Sequence, residues 1–516
     1  MQLSKQNLKD ISSKLVQKPN EEIFGLPEKL LQFGTGVLLR GLPDYFIDKA
    51  NRNGIFNGRI VMVKSTSNGN PNEFAKQDNL YTICVKGIED DKKVEEYIIN
   101  SSVSLVLSAN ENWNSVLECA HNPELQIIIS NTTEVGIVLV EDDIRLFPPH
   151  SFPGKLLAFL FERYKAFHGS EESGMVIIPT ELIIENGRKL ESIVVELARI
   201  NKLGDGFISW LQNANQFCNS LVDRIVPGKL PLNDENTTEK KLGYRDDLMI
   251  MAESFRLWAI ESHSERVKEI LSFAKVDEAV VIAPDIEIFR ELKLRLLNGT
   301  HTFSCGLAFL AGFGTVREAM NNTHMSSFIC GLALNEIPGA MSGLFISYND
   351  ACNFARKVMD RFKNPFLDHS WSNITVQYSS KMKMRNVPLL LKHYQKNVTT
   401  PELMAFGFAA YLLFMKCSKN AKARPDDPGG RGKFYGYTNG VAYEIQDDAA
   451  GYFAEKWANH DANALVDEIL CDKNFWGEDL SALHGFADAV KVNLNSLQKN
   501  GVMATLRRME LNKTLA

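Results

Sequence analysis

Between Lys293 and His301 the chain reads Lys-Leu-Arg-Leu-Leu-Asn-Gly-Thr-His, setting an ammonium, a side-chain amide and an imidazole within two or so helical turns. An ammonium pressed against apolar surface loses part of its preference for the charged form and can give or take a proton near neutral pH. The Asn298 amide can donate a hydrogen bond to a carbonyl oxygen that is gaining negative charge. The His301 imidazole can orient a neighbouring hydroxyl. On an α-helix the three side chains stand at 0°, about 140° and about 80°, which places them on one broad face. Taken alone, the run reads equally as a solvated lysine, a helix-ending Asn-Gly and a satisfied core histidine, so its meaning depends on what surrounds it.

A second constellation lies near the start. An apolar strand is expected over Glu28–Phe33, running into Gly34-Thr35-Gly36; helical spacing follows over Val37–Ala50, and a second strand over Arg59–Lys64. Strand, glycine turn, helix and strand form the unit in which a dinucleotide pyrophosphate rests on a helix N-terminus. Gly34 would let the strand turn and Gly36 would let backbone amides approach phosphate. The third glycine of the usual pattern is absent, since position 39 is Leu, and a lone Gly-x-Gly is also an ordinary tight turn. Further strands are expected at Tyr97–Asn100, at Leu125–Ser130 (leading into Asn131-Thr-Thr-Glu134) and at Met175–Pro179.

These elements predict an α/β fold: an N-terminal Rossmann-type, doubly wound parallel sheet over residues 1–235, then a mainly helical domain over 236–516. Pro227–Lys241 reads as the connector. The helical part is interrupted by one glycine-rich loop, Pro425–Lys433. The apolar runs Phe303–Val316 and Leu403–Met415 are shorter than the ~20 residues of a membrane span and read as buried core helices.

Composition narrows the function classes. The 516 residues carry 45% hydrophobic and 23% charged residues and a net charge of −6. No basic stripe marks a nucleic-acid binder, whereas a small anionic substrate needs only a local cation. The N-terminal stretch has no apolar core of the signal-peptide kind. Eight scattered cysteines, without a Cys-x-x-Cys pair, point to reduced thiols in a cytoplasmic protein, with neither disulfides nor a zinc site. No metal is expected.

Together these pieces resemble the mannitol dehydrogenase family of polyol-specific long-chain dehydrogenases, over nearly the whole chain. Gly34-x-Gly36-x-x-x-Arg40 is similar to its cofactor loop, with Leu38 where an aromatic is usual. Asp223-Arg-Ile-Val-Pro227 and Ala252-Glu-Ser-Phe255-x-x-Trp258 are similar to two further segments of the family. Lys293-x4-Asn298-x2-His301 is its signature, and Arg361-Phe-Lys-Asn364-Pro365 with Lys381 and Arg385 resembles its substrate-domain segment. Ser151-Phe-Pro-Gly-Lys155 and Pro179-Thr-Glu-Leu-Ile183-x-x-Asn186-Gly187 resemble the branch that reduces tagaturonate; fructuronate reductases are the nearest competing branch.

The resemblance implies a metal-independent hydride transfer between a nicotinamide and a secondary alcohol or ketone carbon. Lys293 is then the general acid/base, lowered in pKa by burial, Asn186 and Asn298 are the amide donors, and His301 orients a hydroxyl. Phe33, Gly34, Thr35, Gly36, Arg40, Lys64 and Asn131 are expected at the cofactor, and Asp223, Lys381 and Arg385 at the substrate. Asn186 comes from the first domain and the other three catalytic residues from the second, which implies a cleft site. A uronate carboxylate requires a cation, for which Lys381 and Arg385 stand first and Arg431 next. The second strand ends at Lys64 without a carboxylate. Read on residues alone, that suits NADP(H); the family implies NAD(H). Expected partners are a hexuronate or aldonate, with no nucleic acid or membrane, in a monomer or homodimer. The competing readings are a fructuronate or polyol enzyme with the same chemistry, and a dinucleotide-binding sensor without catalysis.

Overall fold

The structure is a computed structural model that describes residues 1–65, 72–132, 136–343, 345–419 and 432–514. The Arg431 candidate, most of the Pro425–Lys433 loop, and Thr133 and Glu134 lie outside the described residues. The chain divides into two compact units: residues 1–87 with 93–287, and residues 88–92 with 288–516.

In the first unit a six-stranded, all-parallel sheet is formed by β1 (Glu28–Phe33), β2 (Arg59–Lys64), β3 (Val103–Ser108), β4 (Ile127–Ser130), β5 (Val176–Pro179) and β6 (Gln216–Phe217). Their spatial order is β3-β2-β1-β4-β5-β6, the order of a dinucleotide-binding sheet, which reverses direction between β1 and β4. Successive residues serve opposite faces. Leu31, Phe33, Val61, Val63 and Ile128 pack towards helices Phe152–Ala166 and Asn186–Ile200, whereas Leu30, Ile60, Met62 and Ile127 share a core with helix Pro43–Arg52. Burial on both faces is why these strands read as continuous apolar runs.

Three expectations are corrected. The Tyr97–Asn100 strand exists as the end of Lys92–Asn100, but it belongs to a separate sheet with Val16–Gln17, Tyr81–Glu89 and Ile250–Glu253. The third Rossmann strand is Val103–Ser108, an edge strand whose mixed burial, with Leu105 at 41% exposure, masks it in the sequence. The boundary at 235/236 falls inside helix Leu232–Leu242, and the units part at 287/288. Polar composition made residues 227–241 look like a linker, yet strands Ile250–Glu253, Leu257–Glu261 and Val280–Ala283 follow it and complete sheets of the first unit.

The second unit is mainly helical, with one small sheet among the described residues, Cys417–Lys419, Phe434–Thr438 and Val441–Glu444. Helix Glu402–Phe414 is buried almost all round and packs on helices Thr300–Leu310 and Phe486–Asn500. Its approach to Thr300–Leu310 requires Gly407, where a Cβ would meet the Phe303 carbonyl oxygen at 2.7 Å. Among the described residues no helix is long and apolar enough to cross a membrane.

Candidate functional site

At the carboxyl end of β1 the chain turns through Gly34 at φ +129°, and a Cβ there would stand 2.9 Å from Leu39 Cδ1 and 3.2 Å from the Asn131 carbonyl oxygen. Only glycine takes this turn without strain. Gly36 is exposed at φ −64°, and a Cβ on it would meet nothing within 4 Å, so the backbone ahead of helix Val37–Gly41 faces open space. Asn131 follows β4, across the switch point, where its N–H donates to the Phe33 carbonyl (3.2 Å) and its amide to Thr180 Oγ1 (3.0 Å). The structure therefore brings Phe33, Gly34, Thr35, Gly36 and Asn131 together where such sheets bind dinucleotides.

Glu181, which sequence reasoning missed, locks this edge. It is 3% exposed, and its carboxylate accepts from Thr132 N (2.8 Å), Thr132 Oγ1 (3.0 Å) and Ser130 Oγ (3.2 Å). Lys64 is buried at the end of β2, and Asp223, also buried, ends strand Ser220–Asp223.

Two expected roles change. Arg40 points into the fold, donating from Nη1 to the Leu248 carbonyl (2.9 Å) and lying over the Phe74 and Tyr81 rings, and burial lowers its pKa. It ties the glycine turn to the second sheet and is not placed to grip a phosphate. Asn186 is fully buried. Its amide nitrogen donates to the carbonyls of Pro179 (2.9 Å), Glu181 (3.0 Å) and Ser220 (3.1 Å), and its oxygen accepts from Gly187 N and Ser220 N. Both amide hydrogens are directed at backbone carbonyls here, an arrangement that makes Asn186 a structural tie in this structure.

In the helical unit the signature lies on one continuous helix, α over Glu287–Leu292, π over Lys293–Gly299 and α again over Thr300–Leu310. In a π-helix residue i+5 bonds back to residue i, so Asn298 follows Lys293 by roughly one turn instead of the α-helical turn and a half. The spacing of four residues between them thus aligns them, a correction to the α-helical angles. Lys293 and Asn298 are both half-buried, short of the burial expected for Lys293. Among the described residues the Asn298 side-chain amide has no hydrogen-bond partner, while its carbonyl accepts from Thr302 Oγ1 (2.8 Å).

A second π segment, Met382–Asn386, packs against the first and carries Arg385. Arg295 joins them, donating from Nη1 to the carbonyls of Met384 and Arg385 (both 2.8 Å), with Glu291 pairing its Nη2 at 3.1 Å. Arg385 Nη1 reaches Thr302 Oγ1 at 3.3 Å, and Lys381 Nζ donates to the Ile374 carbonyl at 2.9 Å. Among the described residues neither Lys381 nor Arg385 has a carboxylate within salt-bridge distance. Burial lowers the pKa of both, and the neighbouring Arg385 charge adds to the effect on Lys381.

His301 is 6% exposed, stacks on Phe362 (centroids 4.2 Å, 10°) and meets the edges of His369 (5.0 Å) and Trp371 (6.0 Å). Burial first, then the neighbouring His369 and the charges of Arg361, Arg385 and Lys381, hold it well below its ordinary pKa of 6.5, so the ring is neutral at neutral pH. Among the described residues of this unit, every buried side-chain polar atom without a partner belongs to Thr300, His301, Ser304, Trp371, Arg385 or Asn386. Unmade hydrogen bonds of this kind cost about 1–3 kcal/mol each, so these atoms are donors and acceptors that a polar partner would satisfy. Sequence reading missed His369 and Trp371, for nothing in the spacing links them to His301.

Among the described residues no group of three His, Cys, Asp or Glu side chains is placed to hold a metal, and all eight cysteines are unpaired.

Comparison with known proteins agrees in each unit. Residues 28–271 match the mannitol dehydrogenase Rossmann domain and residues 285–431 the mannitol dehydrogenase C-terminal domain. The altronate oxidoreductase of Bacillus subtilis (strain 168) is 36% identical over 502 residues, covering 96% of this chain and 98% of that protein. The altronate oxidoreductase of Shigella flexneri is 33% identical over 490 residues, covering 93% and 96%. Two solved structures share the fold. A substrate-free D-sorbitol dehydrogenase has a TM-score of 0.77 at 19% identity, covering 98% of this chain and 100% of that one. Mannitol 2-dehydrogenase from Pseudomonas fluorescens, in a ternary complex with NAD and D-mannitol, has a TM-score of 0.65 at 21% identity, covering 99% of each. With both domains matched in order and relatives aligned almost end to end, the chain belongs to the mannitol dehydrogenase family of oxidoreductases.

Proposed function

We propose that this chain catalyses the reversible, NADH-linked reduction of D-tagaturonate to D-altronate, in the cytoplasm, as a step of hexuronate catabolism. The observation that carries the reading is the pair Lys381 and Arg385, cations without a carboxylate partner among the described residues, beside the signature helix. A substrate bearing a carboxylate supplies what they lack, and the altronate oxidoreductases aligned over 93% and 96% of the chain support that class. The eight unpaired thiols suit a reducing compartment.

The turn Gly34–Gly36 with Asn131 fits a nicotinamide dinucleotide, because Gly36 leaves room for a pyrophosphate at the switch point. When bound, that cofactor supplies or accepts the hydride at the substrate carbon. The chain's own residues manage charge and protons. As the carbonyl oxygen gains negative charge in reduction, the unpartnered Asn298 amide donates to it, and the Lys293 ammonium, aligned by the π turn, delivers the proton. In oxidation Lys293 takes that proton back. His301, neutral and lacking a partner at Nε2, orients an adjacent substrate hydroxyl.

The test is NADH oxidation with a panel of tagaturonate, fructuronate and fructose. The expected kcat/KM for tagaturonate exceeds the others by at least roughly tenfold, about 1.4 kcal/mol of transition-state discrimination. Preference for fructuronate or fructose would reassign the substrate, and no turnover with any ketose would point to a non-catalytic sensor. Repeating the measurement with NADPH decides the role of Lys64, with a ratio above roughly ten in favour of NADH expected.

A further inference from the structure

His369 was in none of the sequence-derived sites, yet the structure sets its ring edge 5.0 Å from His301, the last residue of the signature. Its backbone is fixed there: the His369 carbonyl accepts from Val316 N at 2.9 Å, and Ser370 bridges to Thr315. The groups facing it come from three helices, namely His301 on helix Thr300–Leu310, Arg361 on helix Tyr348–Lys363 and Lys381 on helix Tyr378–Lys381, while the adjoining Asp368 is paired with Arg317 at 2.8 Å. Burial first, and then the nearby positive charges of Arg361 and Lys381, hold His369 below its ordinary pKa. An imidazole kept neutral by surrounding cations regains its proton when an anion enters, because the anion reverses the local field.

We propose that His369 is the residue that selects a carboxylate-bearing substrate, receiving the carboxylate together with Lys381 and Arg385 and taking up a proton, in part or in full according to pH, as it binds. The inference rests on the reading of the helical unit as the uronate site, and it adds a proton to the binding equilibrium. Carboxylate affinity therefore rises as pH falls through the bound-state pKa of His369 and levels off below its free-state pKa. A neutral polyol, which leaves the field unchanged, binds without this dependence. The uptake also separates His369 from Lys381 and Arg385, which substitutions at position 369 leave in place.

The experiment is calorimetric titration of altronate into the full-length protein in the presence of NADH, a pair that cannot turn over. Buffers of different ionisation enthalpy count the protons, and D-mannitol is the neutral control. The wild type is expected to take up a substantial fraction of one proton with altronate and none with mannitol. His369→Gln should abolish the uptake and weaken altronate roughly tenfold at about pH 6, leaving mannitol within about twofold. His369→Lys, which keeps a positive charge, should restore altronate affinity without restoring the proton. Unchanged proton uptake in His369→Gln would overturn the assignment to His369 and leave the uronate reading standing. A wild type that binds mannitol but not altronate would overturn the uronate reading itself.

Discussion

Asn186 and Asn298 carry the same amide, and only their surroundings separate them. Asn186 spends both hydrogens on backbone carbonyls and is fully buried; the Asn298 amide has no partner among the described residues. Asn298→Ala should therefore lower kcat by ~10²-fold or more with little loss of stability, the usual effect of deleting one oxyanion donor. Asn186→Ala should instead destabilise the first unit by on the order of 3 kcal/mol, because it orphans several buried backbone groups at once. Chemical denaturation alongside steady-state kinetics distinguishes the two. A stable Asn186→Ala protein with a hundredfold lower kcat would return that residue to the reacting oxygen. Lys293→Ala should abolish turnover while NADH binding, measured by fluorescence, stays near wild type, since Lys293 belongs to the unit without the glycine turn. Activity within about threefold of wild type would remove Lys293 from the proton step.

At the level of elements, two local geometries do the positioning. The π turn Lys293–Gly299 brings Lys293 and Asn298, about 140° apart on an α-helix, into closer alignment, and Arg295 braces it against Met382–Asn386. The glycine turn separates two demands. Gly34 is needed for its backbone, at φ +129°, whereas Gly36 at φ −64° has a backbone any residue adopts and open space in front. Gly36→Ala should accordingly fold with a melting temperature within a few degrees of wild type yet bind NADH at least roughly tenfold more weakly, because the methyl occupies the approach of the pyrophosphate. Gly34→Ala should cost about 1–3 kcal/mol of stability from backbone strain alone. Normal NADH affinity in Gly36→Ala would show that the dinucleotide does not pass over this turn.

Across the whole molecule, the two units place buried titrating groups with opposite pH signatures. In the first unit, burial raises the Asp44 carboxyl from 3.8 to about 7, only partly offset by the Tyr81 hydroxyl that donates to it at 2.9 Å. A raised pKa gives stability that is complete below about pH 4 and is lost as pH rises through about 7, on the order of 4 kcal/mol in all. In the second unit His301 lies well below 6.5, so its contribution is present above pH 6.5 and is lost as pH falls. Thermal unfolding between pH 5 and 8, roughly the imidazole range, should thus show the first unit weakening upwards and the second weakening downwards; Asp44→Asn should flatten only the former. What the sequence determined by itself is whatever rests on local rules: the β1 and β2 strands, buried on both faces and so uniformly apolar, the glycine turn between β1 and its helix, the core helices at Thr300–Leu310 and Glu402–Phe414, and the Lys293, Asn298, His301 signature. Tertiary structure alone decided the rest. Edge strand Val103–Ser108 and the strands beyond residue 249 carry weak patterns because their partners, distant in sequence, supply the burial. Asn186 and Arg40 became structural because backbone carbonyls from Ser220 and Leu248 reach them in space. His369 faces His301 across 68 residues of chain, a separation over which no periodicity holds, so only packing could join them.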